Sequence, residues 1–201
     1  HPREMLRAIE NALPKNSIVS TDIGNICSVS NSYLRFDEPR SMLAAMSFGN
    51  CGYAFPVAVG AKIASPNRPV FAYVGDGAWG ISLNELLTCA REKIGVTVIL
   101  FNNGQWGAEK KNHVDFYSRR YQGVELVNPS WAAVAKSFGC EGVTVDKVGD
   151  VGAAIQAAVK NQAEGKTTVI EMMVTKELGD PFRRDALSKP IRHLDKYKSF
   201  V

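Results

Sequence analysis

VFAYVGDGAWG at residues 70–80 and VTVILFNNGQWG at residues 96–107 decide the fold. Each opens with a continuous apolar run, 70–74 and 96–101, as expected for a strand covered on both faces. Each then breaks at a turn signal, Gly75-Asp76-Gly77 in the first and Asn102-Asn103-Gly104 in the second. Between them Leu83, Leu86, Leu87 and Ala90 recur at helical spacing, which predicts a helix around 82–92. Strand, loop, helix, strand is a βαβ unit, with a parallel sheet and a right-handed crossover.

The alternation continues outward. Pro2 suits the first turn of a helix reaching about Leu13, and Pro14 ends it. Strands are expected at 17–21 (SIVST), 142–146 and 167–174 (TTVIEMMV), and helices at 52–65, 131–138 and 151–162, with Pro56 in a first turn or at a kink. The expected fold class is α/β, a three-layer α/β/α sandwich on a mostly parallel sheet of about six strands. Residues 1–175 form one cofactor-binding domain, and residues 176–201 a basic tail packing on it.

The chain has 201 residues, 24 Lys and Arg, 20 Asp and Glu, and 45% apolar composition, which suffices for one core and excludes disordered, collagen-like and disulfide-rich classes. The apolar runs are too short to span a bilayer, and a net charge of +4 is too small to indicate nucleic acid. Cys27, Cys51, Cys89 and Cys140 are widely spaced with no C-x-x-C, so zinc and disulfides are not expected and a reducing cytoplasm fits. Seven Lys or Arg and four acids lie from Lys176 onward. A solvated terminus is the plain reading of that excess, and an anionic ligand the sharper one. Because the chain begins at His1 with charges at Arg3, Glu4, Arg7 and Glu10, it reads as a piece of a longer protein without a signal peptide.

Residues 75–80 match G-x-G-x-x-G in the context of a dinucleotide site, but two features disagree. Amides Asn102 and Asn103 stand where the ribose-binding acid belongs, and Asp76 puts a carboxylate inside a loop meant for pyrophosphate. A cation resolves both. Mg²⁺ takes near-octahedral oxygen ligands and combines one or two protein carboxylates or carbonyls with phosphate oxygens and water. Asp76, the side-chain oxygen of Asn103 and the backbone carbonyl of Gln105 are the candidate ligands. The glycines admit a close phosphate, and the helix start after Gly77 adds amide donors.

Asp76 and Asn103 are 27 positions apart, with 24 residues between G-D-G and N-N. This is similar to the thiamine diphosphate fingerprint. Ser47-Phe48-Gly49-Asn50-Cys51-Gly52-Tyr53-Ala54-Phe55-Pro56 further resembles the G-L-G-T-M-G-Y-G-L-P stretch of acetolactate synthase-like enzymes. The resemblance implies that the Gly49 carbonyl accepts a hydrogen bond from the cofactor's aminopyrimidine and that Cys51 props the bent cofactor. The implied cofactor contacts are Gly49, Asn50, Cys51, Gly75, Asp76, Gly77, Ala78, Asn103 and Gln105, and the cofactors are thiamine diphosphate and Mg²⁺.

Four more stretches resemble the sulfoacetaldehyde acetyltransferase family: His1-Pro2-Arg3, residues 21–25 (TDIGN), 105–112 (QWGAEKKN) and 180–187 (DPFRRDAL). What this implies is the carboxyl-terminal third of an acyltransferase converting sulfoacetaldehyde and phosphate to acetyl phosphate and sulfite, as a dimer or tetramer. The pyrimidine-binding and middle domains are absent from this sequence. No acid here matches the family's activating glutamate, so no catalytic residue is assigned and the piece alone is expected not to turn over. For the anionic substrates the candidates are Lys110, Lys111, Arg183 and Arg184, the last two being the preferred pair. An acetolactate synthase, a 2-oxo acid decarboxylase and a non-catalytic nucleotide-binding α/β module are the rival readings.

Overall fold

A computed structural model of the chain describes residues 1–176, without the side chains of residues 26–28. Its strands are β1 (Ile18–Thr21), β2 (Met42–Ala44), β3 (Val70–Gly75), β4 (Thr97–Asn102), β5 (Glu141–Val145) and β6 (Thr168–Met173). They form one sheet in the order β2-β1-β3-β4-β6-β5, and every neighbouring pair is parallel. The apolar runs of β3 and β4 become the two central strands because both of their faces are covered. Val70, Ala72 and Val74 join one core cluster, whereas Phe71 and Tyr73 join the other. On β4, Val98 and Leu100 divide from Ile99 and Phe101 in the same period of two.

Helices α1 (Pro2–Ala12) and α8 (Val151–Ala163) cover one face. They bury Met5, Leu6 and Ile9 against Val151, Ile155 and Ala158. The other face carries α3 (Ala54–Ala64), α5 (Leu86–Glu92) and α7 (Trp131–Ser137), which contribute Phe55, Leu86 and Ala135 to its core. Three helices start just beyond strand ends: α2 (Asn25–Ser30) after β1, α4 (Asp76–Ser82) after β3 and α6 (Gly107–Phe116) after β4.

The expected elements are present with small boundary shifts, and Pro56 lies in the first turn of α3. One region differs in kind. The loop read as a Gly-rich turn is already helical at Asp76, and a 3₁₀ turn, Leu83–Glu85, separates α4 from α5. Gly75 is the extended N-cap, and an acidic first residue suits the positive end of a helix. Leu87 is 58% exposed while Leu86 and Cys89 are buried, so the leucine spacing was not one buried stripe. β2, α2 and α6 were not expected from the pattern.

At the amino ends of the strands one side chain ties the layers together. Gln162 of α8 is buried; its Nε2 donates to Val70 O (2.9 Å) and Thr97 Oγ1 (2.6 Å), and its Oε1 accepts from Val70 N (2.9 Å). Gln162→Ala leaves these groups short of partners in a dry interior, at a cost of about 2–3 kcal/mol. For a chain of this size that lowers the thermal midpoint by roughly 5–10 °C in a calorimetric melt, and a shift under about 2 °C would contradict the account.

Candidate cofactor and metal site

From β1 the chain passes to β2 on one side and then to β3 on the other, so the loops leaving β1 and β3 diverge. Such a switch point opens a crevice at the carboxyl ends of the strands. A cavity of about 340 Å³ lies there, lined by the segments following β1, β3 and β4 and by the start of α1.

Asp76 is its centre. The residue is only 3% exposed, and burial raises its carboxyl above the ordinary value near 3.8 against the lowering effect of its hydrogen bonds. Oδ1 accepts from Gly77 N (3.1 Å), and Oδ2 from Gly104 N (2.7 Å) and Asn128 Nδ2 (2.6 Å). Among the described residues no cation pairs with it. Next to it, Asn103 Oδ1 accepts a single hydrogen bond, from Gln105 N at 3.2 Å. Gln105 turns its amide the other way, taking Lys110 Nζ at 3.1 Å and donating to Lys176 O at 3.3 Å. The Gln105 backbone carbonyl accepts no hydrogen bond among the described residues. A carboxylate, an amide oxygen and an open carbonyl are the donor set a hard cation takes.

Among the described residues no three His, Cys, Asp or Glu side chains gather in a metal-sized group, so a cation here relies on neutral oxygens and on its ligand's own. The surroundings fit a diphosphate. Gly75, Gly77 and Ala78 line the cavity beside Asp76. A Cβ at Gly77 would stand 2.7 Å from the Trp106 indole, which packs over this loop. Asn25 lines the same cavity, and both polar atoms of its amide are buried without a partner. Orphaned polar atoms of this kind are costly unless a ligand or water meets them.

The lining also includes Gly49 and Cys51. Gly49 has φ +77°, a conformation that favours glycine. Asp22, at the end of β1, secures this stretch: fully buried, it accepts from Ile23 N (3.0 Å) and Gly52 N (3.0 Å) at Oδ1 and from Ala54 N (3.2 Å) at Oδ2. Burial, followed by the nearby carboxylates of Asp22 and Glu109, pushes the Cys51 thiol up to about 11. It is therefore neutral near pH 7 and suited to packing rather than attack.

Of the nine residues expected to touch a cofactor, eight line this cavity, and Asn50 does not. The cations are placed differently. Neither Lys110 nor Lys111 lines the cavity: Lys110 pairs with Glu125, and Lys111 with Asp115 at 2.6 Å. On α6 the residues that line the cavity are Gly107, Ala108, Glu109 and Asn112, the last two one turn apart. Arg183 and Arg184 lie outside the described residues. Arg3, at the start of α1, is the one Lys or Arg on the lining among the described residues. The sequence reading quoted Arg3, Glu109 and Asn112 within family-like stretches without giving them a role, and it did not single out Asn128. For Glu109 and Asn112 the i, i+3 spacing becomes a signal only once α6 is known.

Residues 22–172 match the family described as thiamine pyrophosphate enzyme, C-terminal TPP binding domain. The chain is 62% identical over 202 residues to a sulfoacetaldehyde acetyltransferase of Alcaligenes xylosoxydans xylosoxydans and 60% identical to one of Castellaniella defragrans. Each alignment covers 100% of this chain and 34% of the relative, so the chain spans about a third of the length of these relatives. The thiamine diphosphate-dependent 4-hydroxybenzoylformate decarboxylase of Rhodococcus jostii RHA1 superposes with a TM-score of 0.79 at 25% identity, over 89% of this chain and 33% of that one. With its buried aspartate, paired asparagines and carboxyl-end crevice in the matched region, this chain belongs to the family of C-terminal TPP-binding domains of thiamine pyrophosphate enzymes.

Proposed function

We propose that the chain holds the diphosphate and the Mg²⁺ of thiamine diphosphate in an acyltransferase that converts sulfoacetaldehyde and phosphate to acetyl phosphate and sulfite. The observation that carries this reading is Asp76: a buried carboxylate with no cation paired to it among the described residues, beside the free side of Asn103 Oδ1 and the open Gln105 carbonyl. These three would hold Mg²⁺, with Gly75, Gly77, Ala78 and Asn25 against the diphosphate and Gly49 and Cys51 against the aminopyrimidine. Thiamine diphosphate, when bound, supplies the carbanion chemistry. The chain's residues orient it: Asp22 fixes the stretch carrying Gly49 and Cys51, and Trp106 shields the loop at Gly77.

The choice of sulfoacetaldehyde rests on the relatives at 62% and 60% identity, and the activity is proposed for a protein that also supplies the activating glutamate. For the anionic substrates, Arg3 on the cavity wall joins Lys110, Lys111, Arg183 and Arg184 as a candidate. We place the enzyme in the cytoplasm as a homo-oligomer. No helix of the described residues is long and apolar enough to cross a membrane.

Because the Asp76 carboxyl is raised, it takes up a proton at higher pH than a free aspartate, and protonation removes the charge a cation needs. Calorimetry on the full chain should therefore find Mg²⁺-dependent thiamine diphosphate binding at neutral pH that is lost on acidification, beginning above the ordinary aspartate range. Ionisation of a buried carboxyl with a raised value also costs folding stability as pH rises through that value. Mg²⁺ with the cofactor should accordingly raise the thermal midpoint more at pH 7 than in acid. Asp76→Ala should weaken binding at least tenfold, about 1.4 kcal/mol, and equal binding by the two proteins would overturn the metal assignment.

The substrate reading has its own assay. The complete enzyme should release sulfite from sulfoacetaldehyde in the presence of phosphate and form acetyl phosphate. CO₂ release from pyruvate without sulfite release would instead favour an acetolactate synthase or decarboxylase.

A further inference from the structure

A chain of polar side chains runs from the buried Glu171 to Asp76, and the half-buried Asn128 is its last link. Glu171, 2% exposed on β6, accepts at Oε2 from Ala132 N (3.1 Å), Thr144 Oγ1 (3.1 Å) and Ser130 Oγ (3.4 Å), and at Oε1 from Asn102 Nδ2 (2.8 Å). That last bond orients the Asn102 amide, leaving its Oδ1 toward Asn128. Asn128 Nδ2 then donates to Asn102 Oδ1 at 2.9 Å and to Asp76 Oδ2 at 2.6 Å. Both amide hydrogens are used on acceptors, so the reversed rotamer, which would set an oxygen against two oxygens, is excluded. The segment bearing Asn128 is held to the loop after β4 by Trp106 N donating to Val124 O (2.8 Å) and Leu126 N donating to Gly104 O (2.9 Å).

The consequence lies at Asp76. A carboxylate offers about four lone-pair directions. Gly104 N and Asn128 Nδ2 occupy both of those on Oδ2, and Gly77 N occupies one on Oδ1. No donor from another residue takes the remaining direction, on Oδ1. We propose that Asn128 is a positioning residue that keeps Asp76 a one-oxygen ligand and thereby selects a small six-coordinate cation, Mg²⁺, over Ca²⁺. This rests on the reading of Asp76 as a cation ligand given above. Mg²⁺ demands near-ideal octahedral geometry, whereas Ca²⁺ accepts six to eight oxygens and two-oxygen carboxylate binding. Without Asn128, Oδ2 regains a free lone pair and the carboxylate is free to turn both oxygens to the metal. The larger ion gains from this, and the smaller one loses its fixed ligand.

The test is titration calorimetry on the full chain, wild type, Asn128→Ala and Asn128→Ser, with Mg²⁺ or Ca²⁺ in the presence of thiamine diphosphate. Thermal melts without metal report folding. Serine is too short to reach Asp76 but keeps a polar group at this half-buried position. Both variants should bind Mg²⁺ about 10- to 100-fold more weakly, as expected for loss of a group that orients a metal ligand. Ca²⁺ affinity should change by less than about threefold, so the Mg²⁺-to-Ca²⁺ preference falls. A purely structural role would weaken both ions alike, and that outcome, or unchanged affinity for both, overturns the proposal while leaving Asp76 as ligand. A wild-type chain that binds neither ion overturns the reading of Asp76, and the role of Asn128 with it.

Discussion

Taking a carboxylate out of water is expensive unless something opposite in charge or rich in N–H donors meets it. At the end of β3 the protein does this with donors alone: three N–H groups hold Asp76, and no cation accompanies it among the described residues. Each donor comes from a different piece of chain, Gly77 from the start of α4, Gly104 from the loop after β4 and Asn128 from the segment before α7. The arrangement therefore exists only when those pieces are assembled. Folding and the orientation of this carboxylate are coupled at this one side chain.

The rest of the architecture serves that coupling. The two buried central strands end side by side, which brings Asp76 and the Asn102-Asn103 pair together although 27 positions separate Asp76 from Asn103. Gln162 fixes the opposite ends of the same strands through Val70 and Thr97, so β3 and β4 are held in register far from the crevice. Asp22 repeats the device of Asp76 on β1, a buried carboxylate satisfied by backbone N–H groups, and uses it to hold the wall that carries Gly49 and Cys51.

Much of this was legible in the residues. The apolar runs at 70–74 and 96–101 read as buried strands because no face of either meets water, and the paired loops at their ends carried the chemistry of the site. What was not legible has physical reasons. β2 is three half-buried residues, and α2 is six residues long, too short for either to establish a period. α6 buries no residue completely, so it has no apolar stripe to announce it. The same absence explains the cations: without a known helix, nothing told that Glu109 and Asn112 would face the cavity while Lys110 and Lys111 turned to Glu125 and Asp115. Asn128 was hidden for another reason. It bonds to a residue 52 positions away and stands in a polar loop with no pattern of its own.

The most direct measurement of the central claim is the anomalous signal of Mn²⁺, standing in for Mg²⁺, in crystals grown with thiamine diphosphate. The account predicts one peak in the crevice, in contact with Asp76 through Oδ1 alone and with Asn103 and the Gln105 carbonyl, while Oδ2 keeps its bonds to Gly104 and Asn128. A peak bound by both carboxylate oxygens, or one that leaves Asp76 untouched, would contradict it.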